Sequence, residues 1–145
     1  MLFFKDFLEW KELNKDSDFS FYDYLYHIMK LKSVNTDIFF AFGEIFCPTF
    51  IKYKNFILLK ENFSEKKIKE LIIKKENVEY WMNLFMVDPY FEQEEDGDLR
   101  AEHLSKILVD NWKSKLEKDF PNKAFIVKYL YDEEQGDYGL TFYQK

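Results

Sequence analysis

Ala124-Phe125-Ile126-Val127-Lys128-Tyr129-Leu130-Tyr131 is the stretch on which the fold reading turns. Phe125, Val127, Tyr129 and Tyr131 alternate with Ile126, Lys128 and Leu130, and a period of two is the signature of a strand. Apolar residues on both faces predict a central position in a sheet. Asp132 to Asp137 follows as an acidic turn containing Gly136, and Tyr138 to Tyr143 reads as the antiparallel return.

Upstream, Phe120-Pro121-Asn122 closes the longest helix, predicted over Leu99 to about Lys118. Leu104, Leu108, Trp112 and Leu116 recur every four residues, Ala101 and Ile107 widen the stripe, and Asp98 is the expected N-cap. A second hairpin is expected at Phe50-Ile51-Lys52-Tyr53 and Phe56-Ile57-Leu58-Leu59, joined by Lys54-Asn55. Between the hairpins, Ser64 starts a helix with Ile68, Leu71 and Ile72 inward, and Asn77 opens another from Val78 to about Met86, stopped by Asp88-Pro89.

The N-terminal third reads as three helices. Phe3, Phe7, Trp10 and Leu13 mark the first, over residues 1 to 13. Asp18 or Ser20 caps the second, whose apolar face is Phe21, Tyr24, Leu25, Ile28 and Leu31. Asn35 or Thr36 caps the third, which ends before Pro48 and holds Gly43 where close packing is expected. The predicted fold class is α+β, with five or six helices packed on a small antiparallel sheet built from two hairpins. A chain of 145 residues fits a single domain, 1–145, without a metal or disulfide staple.

Cys47 is the only cysteine, so no intrachain disulfide forms, and acids and lysines interrupt every apolar run. These features point to a cytoplasmic protein with no membrane partner. His27 reads as a partly buried histidine and Cys47 as an inert, small, buried hydrophobe. No zinc motif, phosphate loop, dinucleotide fingerprint or nucleophile elbow occurs, so no catalytic residue, metal or cofactor is expected. The lysines of the helix after Ser64 alternate with Glu65, Glu70 and Glu76, which makes them a solvated face and gives no direct nucleic-acid site.

Charge is the remaining signal. Glu92-Gln93-Glu94-Glu95-Asp96-Gly97-Asp98 holds five carboxylates in a chain of net charge −6. The dipole of the following helix favours carboxylates near its start, but that effect fades within one turn and accounts for Asp98 and Asp96, not for the rest. Calcium binding fails on ligand spacing. A second acidic segment spans Asp132, Glu133, Glu134 and Asp137, and Tyr90, Phe91 and Tyr138 border the two. Acids that steer a basic partner and aromatic rings that anchor it make a protein-docking surface: Tyr90, Phe91, Glu92, Glu94, Glu95, Asp96, Asp132, Glu133, Glu134, Asp137 and Tyr138.

Asp98-Leu99-Arg100-Ala101-Glu102, Trp112-Lys113-Ser114-Lys115-Leu116, Asp119-Phe120-Pro121, Gly139-Leu140-Thr141-Phe142-Tyr143-Gln144 and Phe19-Ser20-Phe21-Tyr22-Asp23-Tyr24-Leu25 together resemble a family of small uncharacterised bacterial proteins. In size, acidity and cytosolic character the chain is also similar to immunity proteins of contact-dependent growth inhibition systems. That resemblance implies a non-enzymatic inhibitor of a cognate toxin C-terminal domain, a basic nuclease cutting tRNA or DNA. Two alternatives stand beside it: a small enzyme with a site assembled from scattered residues such as His27, Cys47 and carboxylates, and a non-inhibitory adaptor subunit.

Overall fold

The computed structural model describes residues 4–132 and 136–145, and contacts between Cα atoms divide the chain into two compact units, Met1–Ala41 and Phe42–Lys145. The expectations for Phe3, Glu133 and Glu134 fall outside the described residues. The architecture is α+β, with six α-helices and two small antiparallel sheets among the described residues.

In the first unit, α1 (Lys5–Leu13) and α2 (Phe21–Leu31) lie where the periodicity predicts helices, but Leu13, Phe21, Leu25 and Leu31 of the expected apolar faces are exposed. Ser20 is the cap of α2, and it forms a reciprocal box: its hydroxyl accepts from the Asp23 N–H at 3.3 Å, while the Asp23 carboxylate accepts from the Ser20 N–H at 2.7 Å. Aromatic rings join the two helices, with Phe7 against Phe21 and Tyr24, and Trp10 against Phe19, Tyr24 and His27, at centroid distances of 5.3 to 5.8 Å. The boundary between units falls inside α3 (Asp37–Phe46), whose first N–H is held by the Asn35 side chain at 2.9 Å.

The second unit carries the core. The first hairpin is β1 (Phe50–Tyr53) and β2 (Phe56–Leu59), with Lys54 in the left-handed region at φ +54. Next come α4 (Glu65–Ile73), capped by Ser64 as expected, and α5 (Val78–Met82), capped by Asn77. Only Ile68 of α4 is buried; Leu71 is half-buried and Ile72 exposed. The expected helix to Met86 stops at Met82, because Asn83 turns its side chain into the sheets and Phe85–Met86 forms a third strand, β3. Then α6 (Gly97–Asp119) crosses over β4 (Phe125–Asp132) and β5 (Asp137–Gln144).

Two expectations about the sheets are corrected. The strands do not join one sheet: β1 and β2 form one of their own, and β3, β5 and β4 form the other in that order. β4 is consequently an edge strand, and β5 is the central one. Its burial shows it, since Gly139 to Phe142 are all buried, whereas Ile126 and Lys128 of β4 are exposed. Phe85 pairs with Leu140 and Met86 with Gly139, taking the position beside β5 that the alternation in β4 had suggested for a neighbour of β4.

One core cluster lies between α6 and the sheets, centred on Trp112, Leu108, Leu116, Leu140, Phe142 and Ile57. The Trp112 Nε1–H donates to the Ile45 carbonyl at 2.9 Å, so the largest buried side chain leaves no donor unpaired. Ile107, expected in the stripe, is exposed, and Ser105 takes its place among the buried residues of α6. A smaller cluster gathers Leu58, Ile68, Val78 and Met82.

Two buried polar side chains of the α5 region connect the sheets where no strand ladder does. The Glu79 carboxylate accepts from the N–H groups of Ile57 and Gln144, both at 2.7 Å. Asn83 accepts from the Leu59 N–H at 2.9 Å and donates to the carbonyls of Ile57 at 2.9 Å and Phe142 at 3.1 Å. Backbone groups of β2 and β5 are thereby satisfied by side chains instead of by a neighbouring strand.

Candidate functional site

The site begins with the way α6 starts. Its N-cap is Asp96, two residues earlier than expected, and no side-chain cap bond forms there. The Asp96 carboxylate instead accepts from the Arg100 Nε at 2.5 Å, and that hydrogen bond holds its pKa below the ordinary value. Gly97 allows the chain to turn tightly at this point, because a Cβ at this position would lie 2.4 Å from the Phe91 carbonyl oxygen. That close approach folds residues 92 to 96 back over the segment that precedes them.

On the other side, the Asp88 carboxylate accepts from the Tyr138 N–H at 3.0 Å, and the Val87 N–H donates to the Tyr138 carbonyl at 2.7 Å. These bonds fasten the start of β5 to the turn at Asp88–Tyr90. As a result Gly136 and Asp137, from the end of the second acidic segment, share one concavity of about 580 Å³ with the first acidic run. Among the described residues seven carboxylates line it: Asp88, Glu92, Glu94, Glu95, Asp96, Asp98 and Asp137. No lysine or arginine is among the lining residues, so the surface is electronegative although 35 and more residues separate its two parts in sequence.

The sequence-derived residues separate into three groups. Glu92, Glu94 and Glu95 are exposed on the concavity, and Asp137 is half-buried beside them. Tyr90 is 57% exposed with its ring stacked on Phe85 at 6.0 Å, while Phe91 is half-buried and packs against the core. Tyr138 is not a surface ring. It lies in the core, 4.8 Å from the Tyr131 ring, and burial first of all pushes its hydroxyl pKa up to about 12. Its place at the start of the central strand explains the difference: the residue that borders an acidic turn in sequence points inward at that register. Asp132 is exposed at the end of β4 and does not line the concavity.

The sequence reading missed Asp88 and Asp98 as members of this surface. Asp88 had been read only as a helix stop and Asp98 only as a cap. The Asp-Pro at 88–89 was the available signal, since a turn ending a buried segment brings its acid to the rim.

Elsewhere the structure corrects three readings, the first being His27, which is exposed on α2 and not partly buried. Cys47 is exposed, following α3, and not a buried hydrophobe. A Cβ on Gly43 would meet nothing within 4 Å, so close packing does not account for that glycine. Among the described residues no group of three or more His, Cys, Asp or Glu side chains is arranged to hold a metal ion, and no helix is long and apolar enough to cross a membrane.

Against protein-family models, curated proteins and solved structures, the chain matches none. The functional reading therefore stands on the geometry of this surface.

Proposed function

We propose that this protein is a cytoplasmic immunity protein that binds a cognate bacterial toxin domain, a nuclease acting on tRNA or DNA, and neutralises it. The observation that supports the reading is the meeting of two acidic segments in one concave surface with an exposed tyrosine at its side. A nuclease must present a cationic surface to bind phosphate backbones, and a cluster of carboxylates is complementary to that surface. Glu92, Glu94, Glu95, Asp98 and Asp137 steer the encounter, and Tyr90 supplies the apolar anchor. The likeness of the chain in size and acidity to immunity proteins of contact-dependent growth inhibition systems points the same way.

The test is binding kinetics against the C-terminal toxin domain encoded beside this chain. Reversing the charges of Glu94, Glu95 and Asp98 to lysine slows association by about tenfold or more at low salt, and it flattens the dependence of the rate on ionic strength. Tyr90→Ala raises the dissociation rate and leaves association nearly unchanged. An association rate and salt dependence indifferent to the triple reversal removes the acidic concavity from the interface. Failure of the toxin domain to bind at all removes the immunity reading.

A further inference from the structure

β4 is an eight-residue edge strand with no proline and an unbroken register against β5. Which of its backbone groups remain open follows from one bond. The Lys145 N–H donates to the Ala124 carbonyl at 2.9 Å, so Ala124 and Lys145 are a hydrogen-bonded pair continuing the ladder in the same register. Pairs alternate along an antiparallel ladder, so Ile126, Lys128 and Leu130 turn their N–H and C=O groups toward β5. Phe125, Val127, Tyr129 and Tyr131 turn theirs to the outer edge. Side chains divide the other way: Phe125, Val127 and Tyr129 pack on the core under α6, while Ile126 and Lys128 are exposed on the opposite face and Leu130 is half-buried there.

We infer that this edge pairs with the same edge of a second copy of the chain, antiparallel about a twofold axis through Leu130. Only a register that sets odd residues opposite odd residues brings open backbone groups together, which leaves few choices. The fullest overlap places Lys128 against its own copy, and like charges directly opposite oppose pairing. Shifting the axis to Tyr129 sets Lys128 against Leu130 and Ile126 against Asp132, each charge facing an apolar side chain. Shifting it to Leu130 sets Lys128 opposite the second copy's Asp132, twice by symmetry, around a Leu130–Leu130 contact. On the α6 face the same register lays Tyr129 beside the second copy's Tyr131, a ring that is 48% exposed in the single chain. An edge lysine ordinarily discourages pairing. Here Lys128 excludes one register and complements another, and the product is a continuous six-stranded sheet with each α6 on the same face.

Sedimentation equilibrium of the full chain tests the pairing, and the charge pattern tests the register. The wild-type chain is expected to dimerise. Lys128→Asp and Asp132→Lys each weaken the dimer by about tenfold, since each replaces two attractions by two repulsions, and the double variant regains it. Both positions are exposed, and circular dichroism verifies that each variant is folded. In a Cys47→Ser background, Leu130→Cys forms a symmetric interchain disulfide on mild oxidation, because a non-hydrogen-bonded pair on the axis brings the two side chains close. A chain that stays monomeric at the highest attainable concentration overturns the proposal. So does a dimer that neither charge reversal weakens, or a cross-link that forms from Lys128→Cys and not from Leu130→Cys. None of these readouts involves the toxin, so they fail or succeed independently of the proposed function.

Discussion

The two units of the chain use aromatic residues in opposite ways. In Phe42–Lys145, Trp112 and Phe142 are fully buried, their rings 6.1 Å apart, and Phe50 makes edge contact with both. In Met1–Ala41, Phe7 meets Phe21 edge to face and Trp10 lies tilted against Tyr24, yet α1 and α2 contain no buried residue among those described. Tyr22, Tyr26, Phe39 and Phe40 remain largely exposed, and Tyr22, Leu25, Met29 and Val34 line a groove of about 400 Å³ within that unit. A helix pair can align its rings by periodicity alone, but rings leave water only where further elements pack over them, as α6 and the strands do around Trp112. Stability should accordingly concentrate in the second unit.

The largest expected effect is at Trp112. Trp112→Ala empties the centre of the core and leaves the Ile45 carbonyl without its donor, lowering unfolding stability by about 3 to 5 kcal/mol. Trp10→Ala in the first unit is expected to leave the main thermal transition in place while hydrogen exchange in α2 accelerates. Equal losses from the two substitutions in chemical denaturation would break the contrast.

Asn83→Ala comes next. It removes one acceptor and two donors that serve Leu59, Ile57 and Phe142, and unpaired buried backbone groups cost about 1 to 3 kcal/mol each before relaxation. A net loss of about 3 kcal/mol is expected, with faster amide exchange in β2 but not in β4. Exchange that rises equally in both strands would mean that the side-chain link between the sheets is not local.

Ser105→Ala works in the other direction. The Ser105 hydroxyl is fully buried without a hydrogen-bond partner, and the substitution also improves helix propensity, so stability rises by about 1 kcal/mol. A lower melting temperature for this variant would show that the hydroxyl has a role in the core.

The smallest effect is at Ser20. Its hydroxyl bond, with the backbone bond behind it, holds the Asp23 carboxyl below the ordinary value of 3.8. A depressed carboxylate contributes above the unfolded pKa and loses that contribution as pH falls below about 3.8 through the folded value. Ser20→Ala costs about 0.5 to 1 kcal/mol of α2 stability at neutral pH. By NMR it should fray α2 as acid does, leaving shifts of β5 unchanged.

Much of the fold was legible from local pattern. The Ser20, Ser64 and Asn77 caps, the first hairpin with its Lys54-Asn55 turn, the long helix and the last hairpin all lie near their predicted places. Capping and periodicity act within a few residues, so they are written into short windows of sequence. β3 was missed because a two-residue strand has no period to detect, and its apolar residues continue the pattern of the helix before it.

The candidate site was legible in composition and not in geometry. The acids of Glu92 to Asp98 are conspicuous in sequence, but Asp137 joins them only because Asp88 binds the Tyr138 backbone. The same pairing buries Tyr138, which sequence proximity had placed at the surface.

The sequence by itself determined which segments are helix or strand, β3 and the end of α5 excepted, where most helices begin, and that the charge gathers in two acidic segments. The tertiary structure alone decided that β5 and not β4 is central, that Glu79 and Asn83 bridge two sheets, and that the acidic segments share one concavity. The reason is one of range: turns and caps are satisfied by neighbours in the chain. Strand order and buried polar pairing instead depend on partners 22 to 65 residues away, which no local window contains.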